Sequence, residues 1–173
     1  MIAGGDGGSY GSGPQDGDNW RKRLLDETGL SPERVHFLGQ IPHRDLVRLF
    51  QVSAAHVYLT YPFVLSWSFL EAMSCGAPVI ASATPPVREV VSDGVNGRLV
   101  DFFDIDGFAA RIEEALTSPD SFRPLRAEAR RTIVTRYELN GCCTKLHRFM
   151  AQVTSAHDKP GAARPNPAIP LNA

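Results

Sequence analysis

Two periodicities alternate along this chain. Short, uniformly apolar runs, "RVHFLG" (34–39), "AHVYLT" (55–60) and "PVIASA" (78–83), have the length and the β-branched and aromatic content of buried strands. The segments between them read as helices. "NWRKRLLDETG" predicts a helix over 19–28 closed by Gly29, and "PHRDLVRLFQVS" (42–53) places Leu46, Leu49 and Phe50 at helical spacing. "SWSFLEAMSCG" (66–76) is a short helix between two strands. "PPVREVVSDGVNGRLVD" (85–101) predicts a short helix, a turn at Asp93–Gly94 and a strand after Gly97. "DIDGFAARIEEALTS" (104–118) is amphipathic, with Ile105, Phe108, Ile112 and Leu116 on one side. Two more helices are expected over 119–137 and 139–153. The opening "MIAGGDGGSYGSG" reads as the tail of a strand running into a glycine-rich loop.

Strands alternating with helices, the strands apolar throughout, predict an α/β domain: a Rossmann-like parallel sheet with helices on both faces. Ligands of such folds bind beyond the carboxyl ends of the strands, near helix N-termini. Two places qualify, the loop after "MIAGG" and the segment after "AHVYLT". The domain is expected over 1–153. The proline-rich stretch 154–173 has no apolar period and is expected to be a disordered tail. Met1 stands only a few residues before the glycine loop, which leaves a stub of a central strand and predicts an N-terminally incomplete domain.

Composition adds exclusions. Hydrophobic residues make up 43% and charged residues 21%, ordinary for a globular domain, and the net charge of −1 gives no electrostatic reason to expect nucleic acid or an anionic membrane surface. No apolar run approaches the roughly 18 residues of a membrane span, and no signal-peptide layout opens the chain. Cys75, Cys142 and Cys143 form no disulfide framework, and CxxC and HExxH are absent, so no metal site and a reduced, cytoplasmic setting are expected. His36, His43 and His56 have no spacing for a metal or a triad and read as structural. The acids of "DFFDID" (101–106) suit a helix N-terminus. Arg123, Arg126, Arg130, Arg131 and Arg136 form a basic helical run, either a solvated face partly offset by Glu128 or a lipid-surface patch.

Glu71 is the one carboxylate in the uncharged run from Val57 to Thr84. A helical wheel sets Ser66, Phe69, Leu70 and Met73 toward the core and Glu71 away from it with Trp67, Ser68 and Cys75, so a solvated helix residue is one reading. A bound ligand is the other.

Four blocks in order, "IAGGDG", "RVHFLGQIPHRDLVRLF", "SFLEAMSCGAPVIAS" and "PPVREVVSDGVNGRLV", resemble the C-terminal, donor-binding half of GT-B glycosyltransferases of family 4, the glycosyl transferases group 1 type. The resemblance runs from about Ile2 to Phe149, and "VYLTYPFVLSW" is similar to a bacterial subset with unassigned acceptors. It implies a retaining transfer, without a metal or other cofactor, from a nucleotide-diphosphate-sugar to a saccharide or lipid-linked acceptor. The acceptor would be held by an N-terminal domain outside this sequence, and the enzyme would be cytoplasmic or membrane-peripheral. It also implies that Glu71 binds the ribose hydroxyls and that the helix start at Ser66, Trp67 and Ser68 meets the diphosphate. Gly39, Gln40 and Ile41 would contact the base, and Gly5, Asp6 and Gly7 would border the pocket. Leu65 and Glu89 complete the set, Glu89 reading equally as a surface charge. Phe63 stands where the family's first glutamate is expected, which leaves the catalytic residue unassigned. The family's phosphate-binding Arg and Lys would lie upstream of this sequence. A non-catalytic nucleotide-binding module, or a truncated and inactive remnant, is the alternative reading.

Overall fold

A computed structural model describes residues 1–5, 19–31, 33–60 and 64–157. Asp6, Gly7 and Phe63 lie outside the described residues, as does 158–173, most of the predicted tail. Strands and helices alternate as the periodicity requires: β1 (Ile2–Ala3), α1 (Trp20–Thr28), β2 (Phe37–Gly39), α2 (His43–Val52), β3 (His56–Tyr58), α3 (Trp67–Ser74), β4 (Val79–Ser82), α4 (Pro85–Arg88) and β5 (Arg98–Val100). Three helices close the order: α5 (Ile105–Thr117), α6 (Pro119–Arg136) and α7 (Leu139–His157). Side-chain caps set several of the helix starts: Asn19 accepts from Lys22 N, Ser66 from Ser68 N and Asp104 from Gly107 N. Gly29 ends α1 in the left-handed conformation that glycine adopts without a steric penalty.

Among the described residues every strand pairing is parallel, and the strands form two sheets rather than the single one expected. β1 pairs with β2; β3, β4 and β5 form the second sheet with β4 at its centre. All four residues of β4 are buried, because helices cover both faces. Val79 and Ala81 face a cluster with Phe69 and Met73 of α3, Val87 of α4 and Ala129 of α6. Ile80, pointing the other way, packs with Val100 of β5, Phe108 and Ala115 of α5, and Phe122 and Leu125 of α6. The Asp93–Gly97 turn is held from inside: Ser92 N–H donates to Asn96 Oδ1 at 2.8 Å, and Asn96 Nδ2 donates to Val90 O at 2.9 Å and Thr132 Oγ1 at 3.1 Å. Gly97 is required there by space, since a Cβ would stand 2.6 Å from Val79 Cγ2.

Three expectations change. On α5 the buried side is Phe108 and Ala115 with Ile112 half-buried, whereas Ile105 and Leu116 are exposed. The final helix runs to His157, four residues past its predicted end. Arg126 leaves the solvated face, half-buried with its Nε donating to Gly76 O at 2.7 Å, and Arg130 stays exposed while its Nη1 donates to Ser74 O at 2.5 Å. Two cations thus meet the carbonyls at the negative end of α3.

Candidate functional site

The carboxyl ends of β1, β2 and β3 carry most of the described candidates. The chain leaves β2 at Gly39, whose φ of +63° is open to glycine and whose missing Cβ would touch nothing, so the demand is conformational. Gly4 N–H donates to Gly39 O at 2.9 Å, and a Cβ on Gly5 would lie 3.5 Å from Gln40 Nε2. The loop after β1 and the turn after β2 therefore sit against each other. That turn passes through Gln40 and Ile41 to Pro42, and His43 opens α2.

His43 joins this turn to α3. Its Nε2 lies 2.8 Å from Glu71 Oε1, with His43 largely exposed and the Glu71 side chain 38% exposed. A carboxylate only accepts, so the imidazole presents its Nε2–H to Glu71. Among the described residues the second carboxylate oxygen has no hydrogen-bond partner. The sequence reads His43 as structural, and its contact ties the turn after β2 to Glu71. The signal was available only as a polar residue at a helix start, because the partner lies 28 residues away.

Among the described residues, the start of α3 leaves one amide open. Ser66 N–H donates to Tyr58 Oη at 3.0 Å and Ser68 N–H to Ser66 Oγ at 3.2 Å. Serine at the cap satisfies the helix's own donors, which leaves the Trp67 N–H at the positive end of the helix dipole. The Ser66 and Ser68 hydroxyls share a hydrogen bond at 2.7 Å. The Trp67 ring is 85% exposed beside them, so it is a surface aromatic and not core. Leu65 packs partly buried against the main core cluster. Ser82 fixes the strand end that leads here, accepting from Thr60 N at 3.0 Å and donating to Thr60 O at 3.2 Å.

Glu89, at the C-cap of α4, is exposed, and no hydrogen bond or ion pair among the described residues joins it to Glu71. Cys75 lies behind Glu71; burial, and then the Glu71 charge, push its thiol above the ordinary range, against an opposing pull from Arg130. It stays a protonated thiol and is no nucleophile at neutral pH. Among the described residues no three His, Cys, Asp or Glu side chains gather as metal ligands, and no helix is long and apolar enough to cross a membrane.

This geometry accompanies a clear set of likenesses. The family described as glycosyl transferases group 1 matches residues 2–132. D-inositol 3-phosphate glycosyltransferase of Mycolicibacterium smegmatis is 31% identical over 165 residues, 95% of this chain and 37% of that protein. The structure of sucrose-phosphate synthase from Thermosynechococcus elongatus superposes with a TM-score of 0.69 at 30% identity, over 84% of this chain and 37% of the other. HepE of Anabaena, solved in complex with UDP-glucose, superposes with the same score at 22% identity, over 76% of this chain and 36% of that one. The chain thus spans well under half the length of these relatives.

Proposed function

Because the chain belongs to the glycosyl transferases group 1 family, we propose that it holds the nucleotide-diphosphate end of a sugar donor across the carboxyl ends of β1, β2 and β3. The observation that carries this reading is the His43–Glu71 pair, which fixes an acid one turn into α3 against the start of α2 and, among the described residues, leaves one of its oxygens open. Glu71 accepts from the ribose hydroxyls through that oxygen. The backbone of Gly39, Gln40 and Ile41 borders the base. The Trp67 N–H and the Ser66 and Ser68 hydroxyls meet the diphosphate at the helix start.

Diphosphate is the leaving group in transfer from such a donor. Donors placed at its oxygens stabilise the negative charge that grows as the glycosidic bond breaks, so they serve rate as well as affinity. In this proposal the transfer retains anomeric configuration and needs no metal. Saccharide or lipid-linked acceptors are held by the portion of the relatives' length that this chain does not span.

Calorimetric titration with UDP, GDP and ADP and their sugars tests the reading. One nucleotide should bind, with the same affinity in EDTA. Glu71→Ala should weaken it roughly ten- to a hundredfold, the worth of hydrogen bonds to a charged group. His43→Ala should cost less, about threefold to tenfold, since it removes only the group that positions Glu71. Unchanged affinity in Glu71→Ala would remove the ribose assignment. A folded chain that binds no nucleotide would reduce the family relation to ancestry.

A further inference from the structure

Among the described residues one imidazole is enclosed. His36, His43 and His147 are exposed, whereas His56 of β3 turns its ring into the joint between α2 and α3. Phe50 of α2 meets that ring edge-on, with centroids 5.1 Å apart and planes at 80°, and Phe69 of α3 lies 6.3 Å away, tilted by 35°. Both phenylalanines are buried. The His56 Nε2 is buried with them, and no hydrogen-bond partner reaches it among the described residues.

The joint has an apolar part and a polar part. Phe50 packs with Ala72 and Ala77, with Leu46 and Cys75 beside them. Phe50 is also the one fully buried residue of α2, so the seat of this helix depends on what Phe50 rests against. The polar part is the contact of His43 Nε2 with Glu71 Oε1 at 2.8 Å. His56 therefore lies under the helix that brings His43 to Glu71.

A neutral imidazole suits this position, because it can keep Nε2 as a bare lone pair. Protonation puts an N–H there without an acceptor and a charge between two apolar rings, which costs more than an unpartnered acceptor. The surrounding elements supply no compensation. β4 brings no titratable side chain, and β3 brings Tyr58. From α2 come His43, Arg44, Asp45 and Arg48, and from α3 come Glu71 and Cys75. Asp45 is engaged by Arg48 at 3.2 Å and Glu71 by His43. Burial alone moves the His56 imidazole, and it pushes it below its ordinary value of 6.5.

We propose that His56 is an acid-sensitive latch on the joint of α2 with α3, closed while its ring is neutral and loosened when the ring takes a proton that nothing there can accept. Loosening unseats Phe50, and α2 then draws His43 away from Glu71. A basic group depressed in the folded state contributes stability that is complete above about pH 6.5 and is lost as pH falls from there toward the folded value. The window thus lies above the ordinary carboxyl value of 4.5, where Glu114 belongs. The inference stands on the packing of two helices and goes beyond the donor reading.

Residue-resolved amide exchange on the full chain tests it, at about pH 7.5 and about pH 5.5 and corrected for the intrinsic effect of pH. The opening equilibrium of the Phe50 and Phe69 amides should rise about threefold to tenfold at the lower pH, tenfold being the ceiling for one imidazole with an unfolded value of 6.5. Amides of Ile112 and Leu125, in α5 and α6, should change by less than about twofold. His56→Leu removes the titration and should abolish the rise. His43→Gln keeps an N–H donor toward Glu71 and should retain it, which separates His56 from the exposed histidine of the same joint. Imidazole nitrogen shifts need no variant: His56 should titrate below 6.5 and at lower pH than in the unfolded chain. A rise shared equally by α5 and α6 would overturn the latch, since the proton would then act on global unfolding. So would no rise, a rise that survives His56→Leu or disappears in His43→Gln, or a His56 ring that titrates at or above 6.5. Nucleotide affinity is not read, so failure here leaves the donor reading standing.

Discussion

At the scale of single residues, the polar groups divide into those that hold the scaffold and those left open. Asn96 is the clearest of the first kind. Its buried amide serves Ser92 N, Val90 O and Thr132 Oγ1, and so clasps the Asp93–Gly97 turn to α6. Asn96→Ala would leave buried donors and acceptors without partners. It should cost roughly 1–3 kcal/mol in chemical denaturation at an unchanged m-value. A loss under about 0.5 kcal/mol would mean that water replaces the side chain. Glu71 is of the second kind, with one oxygen on His43 and one open. The sequence singled out Glu71 because a charge in an uncharged run is visible locally. His43 was not legible, because a contact across 28 residues leaves no period. Trp67 was legible only in part: the wheel turned it from the core, but not how far.

Whole elements were the most legible level. Their boundaries follow local chemistry, such as Asn19, Ser66 and Asp104 at helix starts and Gly29 at a helix end. What failed were features set by a neighbouring element. Nothing in α6 itself shows that Arg126, half-buried, and Arg130, still exposed, both reach the end of α3. The joint between α5 and β5 is similar. Arg98 of β5 donates to Glu114 of α5 at 2.7 Å, and Arg111 donates to its other oxygen at 2.8 Å. Arg111 first, with Arg98 adding to it, holds the Glu114 carboxyl below its ordinary value of 4.5, against an upward push from burial. A carboxyl depressed in the folded state contributes stability that is present above about pH 4.5 and lost as pH falls through its folded value. Glu114→Gln should therefore lower stability at pH 7 by about 1 kcal/mol or less, the range for partly solvated pairs. It should also flatten the decline on the acid side of pH 4.5. Parallel denaturation curves at pH 7 and pH 3 decide this; an equal deficit at both would mean that shape, not charge, joins the two elements.

For the molecule as a whole, the parallel α/β order was readable but its division into two sheets was not. Strand runs of the right length do not reveal which edges remain open. That division has an energetic consequence. β4 and the helices on both its faces bury the apolar clusters, whereas α1 buries no residue, β1 is exposed and β2 is at most half-buried. The block from β1 to β2 thus leans on the remainder with little apolar area, and regions of that kind open at lower free energy than a core. Native-state exchange should show the Leu38 amide, which faces β1, opening well before those of Val79 and Ile80, in a step that barely depends on denaturant because little surface is exposed. Equal opening free energies across both sheets would mean that the molecule unfolds as one cooperative unit. Unequal ones place the weak seam between β1 and β3, beside the junction where Gly5 meets Gln40 and His43 meets Glu71.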